Sequence, residues 1–235
     1  SGFIQIMEII VKALVKHYLY CFFIVLYTVT VYCFFAVVIV VLALPLGILL
    51  IAAPHNKRFE RLIFWFLDLL YKAIIAAFMV KVSRNTYNPL PDLPVIMVAN
   101  HQSAVDIMLL GSLCNGYPHI WYALSYYAHF PFLGFFIKKL GVPVDRSNNN
   151  RAAFSLIKLI KRVASSSKNI IIFPEGGRFN DGTIHPFLRG FVVIAKKTGR
   201  PVLPIFMPYN GALYPPRSFF IYPRSLHVEV GPLFV

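Results

Sequence analysis

His101 and Asp106 lie five positions apart in the run VANHQSAVDIM, residues 98–108, with apolar chain on either side. A carboxylate beside an imidazole can accept the N–H of Nδ1 and leave Nε2 free as a base. In a regular helix, positions five apart differ by about 140° and do not face each other. The two side chains therefore meet only if His101 precedes the helix and folds back over its first turn. The same residues also have an architectural reading. Ser103 suits a helix N-cap and Asp106 falls at the third helical position, a pattern that resembles a capping box. An aspartate in the first turn also complements the helix dipole. From the spacing alone both readings stand, and they are compatible.

Three further polar knots follow apolar runs. GVPVDRS (141–147) ends in Asp145-Arg146, and IIIFPEGGRF (170–179) carries Glu175, Gly176-Gly177 and Arg178. VLPIFMPYNG (202–211) closes with Pro204 inside it and a polar turn after it. Two arginines gathered at one edge of a sheet suit a phosphate, which a guanidinium grips with two parallel hydrogen bonds. Ordinary roles are also available. Asn150 suits a cap for the next helix, Glu175 and Arg178 a surface pair worth about 0–1 kcal/mol, and Pro174 with the glycines a turn. The cysteines Cys21, Cys33 and Cys114 are unclustered. They are expected as buried small hydrophobes, and neither a disulfide framework nor a metal site is expected.

The elements that must position these knots fall into two parts. Tyr18 to Ala53 is a 36-residue run without Asp, Glu, Lys or Arg. A membrane span needs about 20 residues. A straight helix of that length would reach about 54 Å at about 1.5 Å per residue, so Pro45 and Gly47 are candidates for bending or ending it. A cleaved signal peptide is not expected, because its apolar region runs to about 7–15 residues. Basic residues flank both ends, so orientation is left open. Residues 59–82 form a second helical stretch, with Asp68 and Lys72 placed to pair and with Phe64, Trp65 and Tyr71 suited to a membrane interface. Asn85 to Pro94 is a Pro- and Asn-rich linker. Beyond it, short β-rich runs alternate with helical ones, which indicates an α/β domain with a mostly parallel sheet flanked by helices. The expected division is a membrane-embedded helical segment over residues 3–84 and an α/β domain over 85–235, with Ser1 and Gly2 set aside.

Lys and Arg number 23 against 9 Asp and Glu, a formal net charge of +14, and 58% of residues are hydrophobic. An apolar, basic chain suits an anionic membrane surface or an anionic substrate. Nucleic acid is not expected as a partner, because the apolar excess lies in one block and no nucleic-acid-binding motif occurs.

Taken in order, the four knots resemble the blocks of the glycerolipid acyltransferases of the 1-acylglycerol-3-phosphate acyltransferase type. Asn100-His101 through Asp106 is similar to the family's His-four-residues-Asp block. Gly141 to Arg146 is similar to the block ending in Asp-Arg. Phe173-Pro174-Glu175-Gly176 with Arg178 resembles Phe-Pro-Glu-Gly-Thr-Arg-Ser, and Leu203-Pro204-Ile205 resembles the last block. The resemblance covers residues 85–215, and a hydrophobic N-terminal helical segment is usual in the family.

The resemblance implies acyl transfer from an acyl-carrier-protein or coenzyme A thioester, used as co-substrate, to the free sn-2 hydroxyl of 1-acylglycerol 3-phosphate. No other cofactor and no metal is implied. His101 would be the general base and Asp106 its partner. Asn100, Arg146, Glu175, Gly176 and Arg178 would bind substrate, the arginines through the phosphate and Glu175 by orienting an arginine or the glycerol. Another lysolipid or glycerol 3-phosphate is the alternative acceptor, and a non-catalytic lipid-binding membrane protein the alternative class. Membrane lipids are the expected partners, with the site on the cytoplasmic face. The sequence departs from the family where Gly177 and Phe179 replace Thr and Ser. It departs again where Leu124-Ser125-Tyr126 replaces a lysine-rich segment and where Arg189-Gly190 replaces Lys-Gly. These departures bear on the head group more than on the reaction type.

Overall fold

The computed structural model describes residues 2–52, 57–86, 93–164 and 166–235. Most of the linker expected over 85–94 lies outside the described residues. Seven strands form one mixed sheet in the order β1-β7-β6-β2-β5-β3-β4. They are β1 Val82–Thr86, β2 Ile96–Ala99, β3 His119–Leu124, β4 Gly141–Val144, β5 Asn169–Ile172, β6 Val202–Phe206 and β7 Leu226–Val230. Among the strands described, only the β6–β7 pair is antiparallel. The helices that follow the N-terminal region are α4 Val105–Leu113, α5 Leu133–Leu140, α6 Asn149–Ala164 and α7 Gly190–Thr198.

The central strands are almost wholly apolar, Asn169 at the start of β5 excepted, because both faces are covered, as parallel sheets require. Alternate residues then serve two cores. Met97, Ala99, Ile171, Leu203 and Ile205 pack with Leu109 and Leu110 of α4. Ile96, Val98, Ile170 and Ile172 pack with Leu159 and Val163 of α6 and Ile194 of α7. β1 contributes a strand where a helix and linker were expected. The helical stretch expected over 59–82 ends at Ala77, and the boundary expected between 84 and 85 falls inside β1. VSRNT has one apolar residue, and what makes it a strand is its parallel pairing with β7.

The N-terminal region is one nearly continuous rod: α1 Gly2–Val38, a π-helical turn Ile39–Ala43 and α2 Leu44–Ala52. Pro45 does not end it. Proline has no N–H to offer the preceding turn, and the turn just before it widens, so that the Leu44 N–H reaches the Ile39 carbonyl five residues back. Such π-turns absorb a broken hydrogen-bond ladder without stopping the helix. The segment Gln5–Ala52 is long and apolar enough to cross a bilayer. None of residues 5–23 has a buried side chain, whereas Ile24, Thr28, Val31, Ala43, Leu46 and Leu50 are buried against the rest of the chain. Of the cysteines, only Cys114 is buried; Cys21 and Cys33 are exposed on the rod, contrary to expectation.

Helix α3, Lys57–Ala77, packs between the rod and α4. Trp65 is exposed, but Phe64 and Tyr71, read as interfacial with it, point inward and are buried. The Tyr71 hydroxyl receives the Trp121 indole N–H at 2.9 Å and lies 3.2 Å from His119 Nε2. A Cβ on Gly111 of α4 would collide with the Tyr71 ring, so a glycine is needed where the two helices meet. The expected Lys72–Asp68 pair forms at 2.6 Å.

Candidate active site

Strands β2 to β6 run parallel to one another, so their carboxyl ends open on one edge of the sheet, where open α/β sheets place ligands. β2 delivers His101 there, β4 delivers Arg146, β5 delivers Glu175 to Arg178, and β6 delivers Met207 to Asn210.

His101 stands in the turn before α4, and Asp106 in that helix's first turn. His101 Nδ1 lies 3.0 Å from Asp106 Oδ2. The same oxygen accepts the backbone N–H groups of Gln102 and Ser103, each at 2.7 Å. A fully buried carboxylate needs such partners to remain charged. Because the carboxylate only accepts, Nδ1 carries the proton toward it and Nε2 is left with its lone pair. The capping reading is half realised. Asp106 reaches back to the Ser103 N–H, as the third residue of a capping box does. The Ser103 hydroxyl instead donates to the Tyr214 carbonyl at 2.7 Å and makes only a long 3.4 Å contact with the Val105 N–H.

The third knot supports His101 from both sides. Glu175 Oε1 accepts the His101 N–H at 3.2 Å, and the Phe179 N–H donates to the His101 carbonyl at 2.9 Å. The Phe173 ring stacks on the imidazole, with centroids 3.9 Å apart and planes 9° from parallel. Burial pushes the Glu175 carboxyl up from its usual range, against the pull of the His101 N–H. Its second oxygen, Oε2, is buried without a hydrogen-bond partner among the described residues, as is Gln102 Oε1.

The arginines border the same loop. Arg146 donates to the Gly176 carbonyl at 3.1 Å. Gly176 sits at φ +68°, a conformation that favours glycine, and a Cβ there would collide with the Arg146 guanidinium. Arg178 donates to the Tyr127 hydroxyl at 3.1 Å and lies over that ring, 6.0 Å from its centroid. Among the described residues neither arginine is ion-paired, and the surface pair of Glu175 with Arg178, the ordinary alternative to a binding role, does not form. The cap expected of Asn150 belongs to Asn148, whose Oδ1 accepts the Arg151 N–H at 2.9 Å.

Asn100 sits deeper than a substrate-binding role suggests. It is buried, its amide donates to the Met207 carbonyl at 3.0 Å, and its oxygen accepts the Met207 N–H at 2.8 Å. It clamps the end of β2 to the end of β6. The sequence reading missed Asn210. Fully buried after β6, it donates to Asp106 Oδ1 at 3.3 Å and to the His227 carbonyl at 3.1 Å, and it accepts the His227 N–H at 2.9 Å. Its only signal was a place in the polar turn closing the fourth knot. No cluster of three or more His, Cys, Asp or Glu side chains suited to a metal occurs among the described residues.

This arrangement combines an oriented base, two unpaired guanidinium groups and unfilled acceptors at one sheet edge. Residues 80–208 match the family model described as Acyltransferase. A chloroplastic 1-acyl-sn-glycerol-3-phosphate acyltransferase of Brassica napus is 33% identical over 130 residues, 55% of this chain and 37% of that protein. The Pseudomonas aeruginosa protein of that name is 29% identical over 145 residues, 61% of this chain and 55% of its own. The chain thus spans roughly a third to a half of the length of these relatives. The fold is similar to the crystal structure of the lysophosphatidate acyltransferase from Thermotoga maritima, with a TM-score of 0.71 and 24% identity over 89% of this chain and 85% of that one.

Proposed function

The chain belongs to the acyltransferase family, and from that premise we propose that it transfers a fatty acyl group from a thioester donor to the sn-2 hydroxyl of 1-acylglycerol 3-phosphate, forming phosphatidic acid. The observation that carries this reading is the 3.0 Å contact between His101 Nδ1 and a buried, fully hydrogen-bonded Asp106. His101 Nε2 removes the proton of the acceptor hydroxyl, and the alkoxide attacks the thioester carbonyl. The tetrahedral intermediate expels the thiolate, which receives the proton back from the imidazolium. Asp106 holds the tautomer and stabilises the imidazolium between the two transfers. The sequence has no G-x-S-x-G elbow, in keeping with direct attack without an acyl-enzyme.

Arg146 and Arg178 hold the acceptor phosphate, and the free Glu175 Oε2 accepts a glycerol hydroxyl. Gly176 leaves the room that the Arg146 guanidinium fills. The donor is an acyl-carrier-protein or coenzyme A thioester acting as co-substrate. The apolar rod seats the enzyme in a membrane, where its acceptor resides. The strongly basic α/β part favours the cytoplasmic face, whose lipids are anionic.

The test is transfer of a labelled acyl group, from either donor, to lysophosphatidate by purified protein in detergent. His101→Ala is expected to lower turnover by about 10²–10⁴-fold, the usual worth of a positioned base. Arg178→Ala is expected to raise the acceptor KM. Unchanged turnover in His101→Ala refutes the mechanism, and no transfer by the wild type to lysophosphatidate, with transfer to another lysolipid or glycerol 3-phosphate, reassigns the acceptor.

A further inference from the structure

Between β3 and β4 the chain runs SYYAHFPFLGFFIKKL, a 3₁₀ turn Ser125–His129 followed by α5. Tyr126, Phe130, Phe132 and Leu133 are 65%, 46%, 47% and 48% exposed. Scattered exposed apolar residues are ordinary, but these fall within eight positions and their three rings each pack on a neighbouring ring. Tyr126 and Phe130 have centroids 5.3 Å apart, and Phe132 and Phe136 5.1 Å apart. The segment is held firmly in this projecting form. The Gly134 N–H donates to the Phe130 carbonyl at 2.9 Å. A Cβ on Gly134 would collide with the Ala128 carbonyl, and Phe132 is kept at φ 47°, which a side-chain-bearing residue adopts only under constraint.

We propose that this aromatic segment is a second membrane contact, seated in the interfacial layer of an anionic bilayer beside the N-terminal rod; it rests on the membrane reading of the rod given above. Three observations select a bilayer over a protein partner. First, the segment is continuous with the rod. Phe135 and Phe136 turn inward onto the cluster of Leu46 and Leu50 of α2, with both rings lying against Gly47. The exposed rings therefore adjoin an outer rod face that carries Leu44, Ile48 and Ile51 in the open. Second, the composition is interfacial: phenyl and tyrosyl rings, followed by Lys138 and Lys139 in the last turn of α5, with Lys139 Nζ 5.9 Å from the Phe135 centroid. Third, a net charge of +14 favours a negatively charged surface.

The consequence is orientation of the site. Tyr127, next to Tyr126, receives the Arg178 guanidinium. Seating Tyr126 among the lipid head groups brings Arg178 to the depth at which a lysolipid carries its phosphate. The rod alone leaves the domain free to rotate about the rod axis; a second contact fixes the edge that faces the bilayer.

The experiment uses full-length protein with Cys21→Ser and Cys33→Ser, leaving the buried Cys114 in place. An environment-sensitive fluorophore is attached at Tyr126→Cys, Phe130→Cys, Phe23→Cys or Phe154→Cys. Phe23 lies on the rod; Phe154 is an exposed residue of α6, outside the proposed contact. After reconstitution into vesicles of phosphatidylglycerol and phosphatidylethanolamine, positions 126 and 130 are expected to show blue-shifted emission quenched by nitroxide lipids. Position 154 is expected to stay aqueous. Aqueous, unquenched emission at 126 and 130 with quenching at 23 overturns the second contact and leaves the membrane reading of the rod intact. Aqueous emission at 23 as well overturns both.

Discussion

At the scale of single residues, the base depends on a carboxylate whose four donors come from two sources. His101, Gln102 and Ser103 belong to Asp106's own turn, so local chain geometry fixes them. The fourth donor, Asn210, comes from a turn 104 positions away and is itself locked on both sides to the His227 backbone. Asn210 thus acts as a positioning residue, fixing the carboxylate plane from the side that its own helix does not reach. Asn210→Leu leaves one buried carboxylate oxygen without its partner, at a cost of about 1–3 kcal/mol. Without that donor the carboxylate is free to turn, and the imidazole it orients turns with it. The expected outcome is a fall in kcat with little change in acceptor KM. An unchanged kcat would remove Asn210 from the site. The dyad was legible because its spacing is local, five residues across a helix start. Asn210 was not, because no periodicity in PYNG tells which distant side chain a turn amide will meet.

At the scale of elements, the apolar runs of β2, β5 and β6 and the amphipathic α6 were legible because burial on two faces, or on one, leaves a direct pattern. β1 was illegible because an edge strand has little apolar demand and takes its conformation from β7. The latch between α3 and the sheet was likewise hidden. It consists of Trp121 donating to the Tyr71 hydroxyl, that hydroxyl donating to His119 Nε2, and His119 Nδ1 donating to the Tyr117 carbonyl at 2.9 Å. Only a neutral imidazole fits this chain of donors. Burial holds the His119 pKa down at about 4, against an unfolded value near 6.5. A depressed histidine contributes stability that is fully present above the unfolded pKa and lost as pH falls toward the folded one. The latch therefore weakens between about pH 6.5 and 4, by about 3 kcal/mol in all. Thermal melts across that window are expected to show the wild-type Tm falling more steeply than that of His119→Gln, whose amide does not titrate. Parallel slopes would show that the buried imidazole is not the sensor.

At the scale of the whole molecule, the rod divides into a free part and a docked part. Sequence could not locate the division, because a run without charges from 18 to 53 shows no polar face from which to read the opposite one. The structure puts it at Ile24. Beyond that point Thr28 exchanges hydrogen bonds with the Ile221 backbone, and Tyr32 donates to the Phe219 carbonyl at 2.9 Å. Val31 enters the core with Phe78, Leu213 and Ile221, while Leu46 and Leu50 close over Phe64 and Leu67 of α3. Ile24, Val31, Leu46 and Leu50 are each worth about 1.5–3 kcal/mol of burial, which together rivals the whole stability of about 5–15 kcal/mol of an ordinary domain. The docked half of the rod is therefore part of the folding unit, while residues 5–23 bury no side chain against it. A chain starting at residue 24 is expected to unfold cooperatively in detergent with a Tm within a few degrees of the full chain and to keep its acyl transfer. A chain starting at residue 53 is expected to aggregate, since it uncovers both the α3 cluster and the Phe78–Ile221 surface. Size-exclusion chromatography with thermal melts distinguishes the two. A monodisperse, cooperatively folded chain from residue 53 would show that the rod is only an anchor laid against a domain already complete without it.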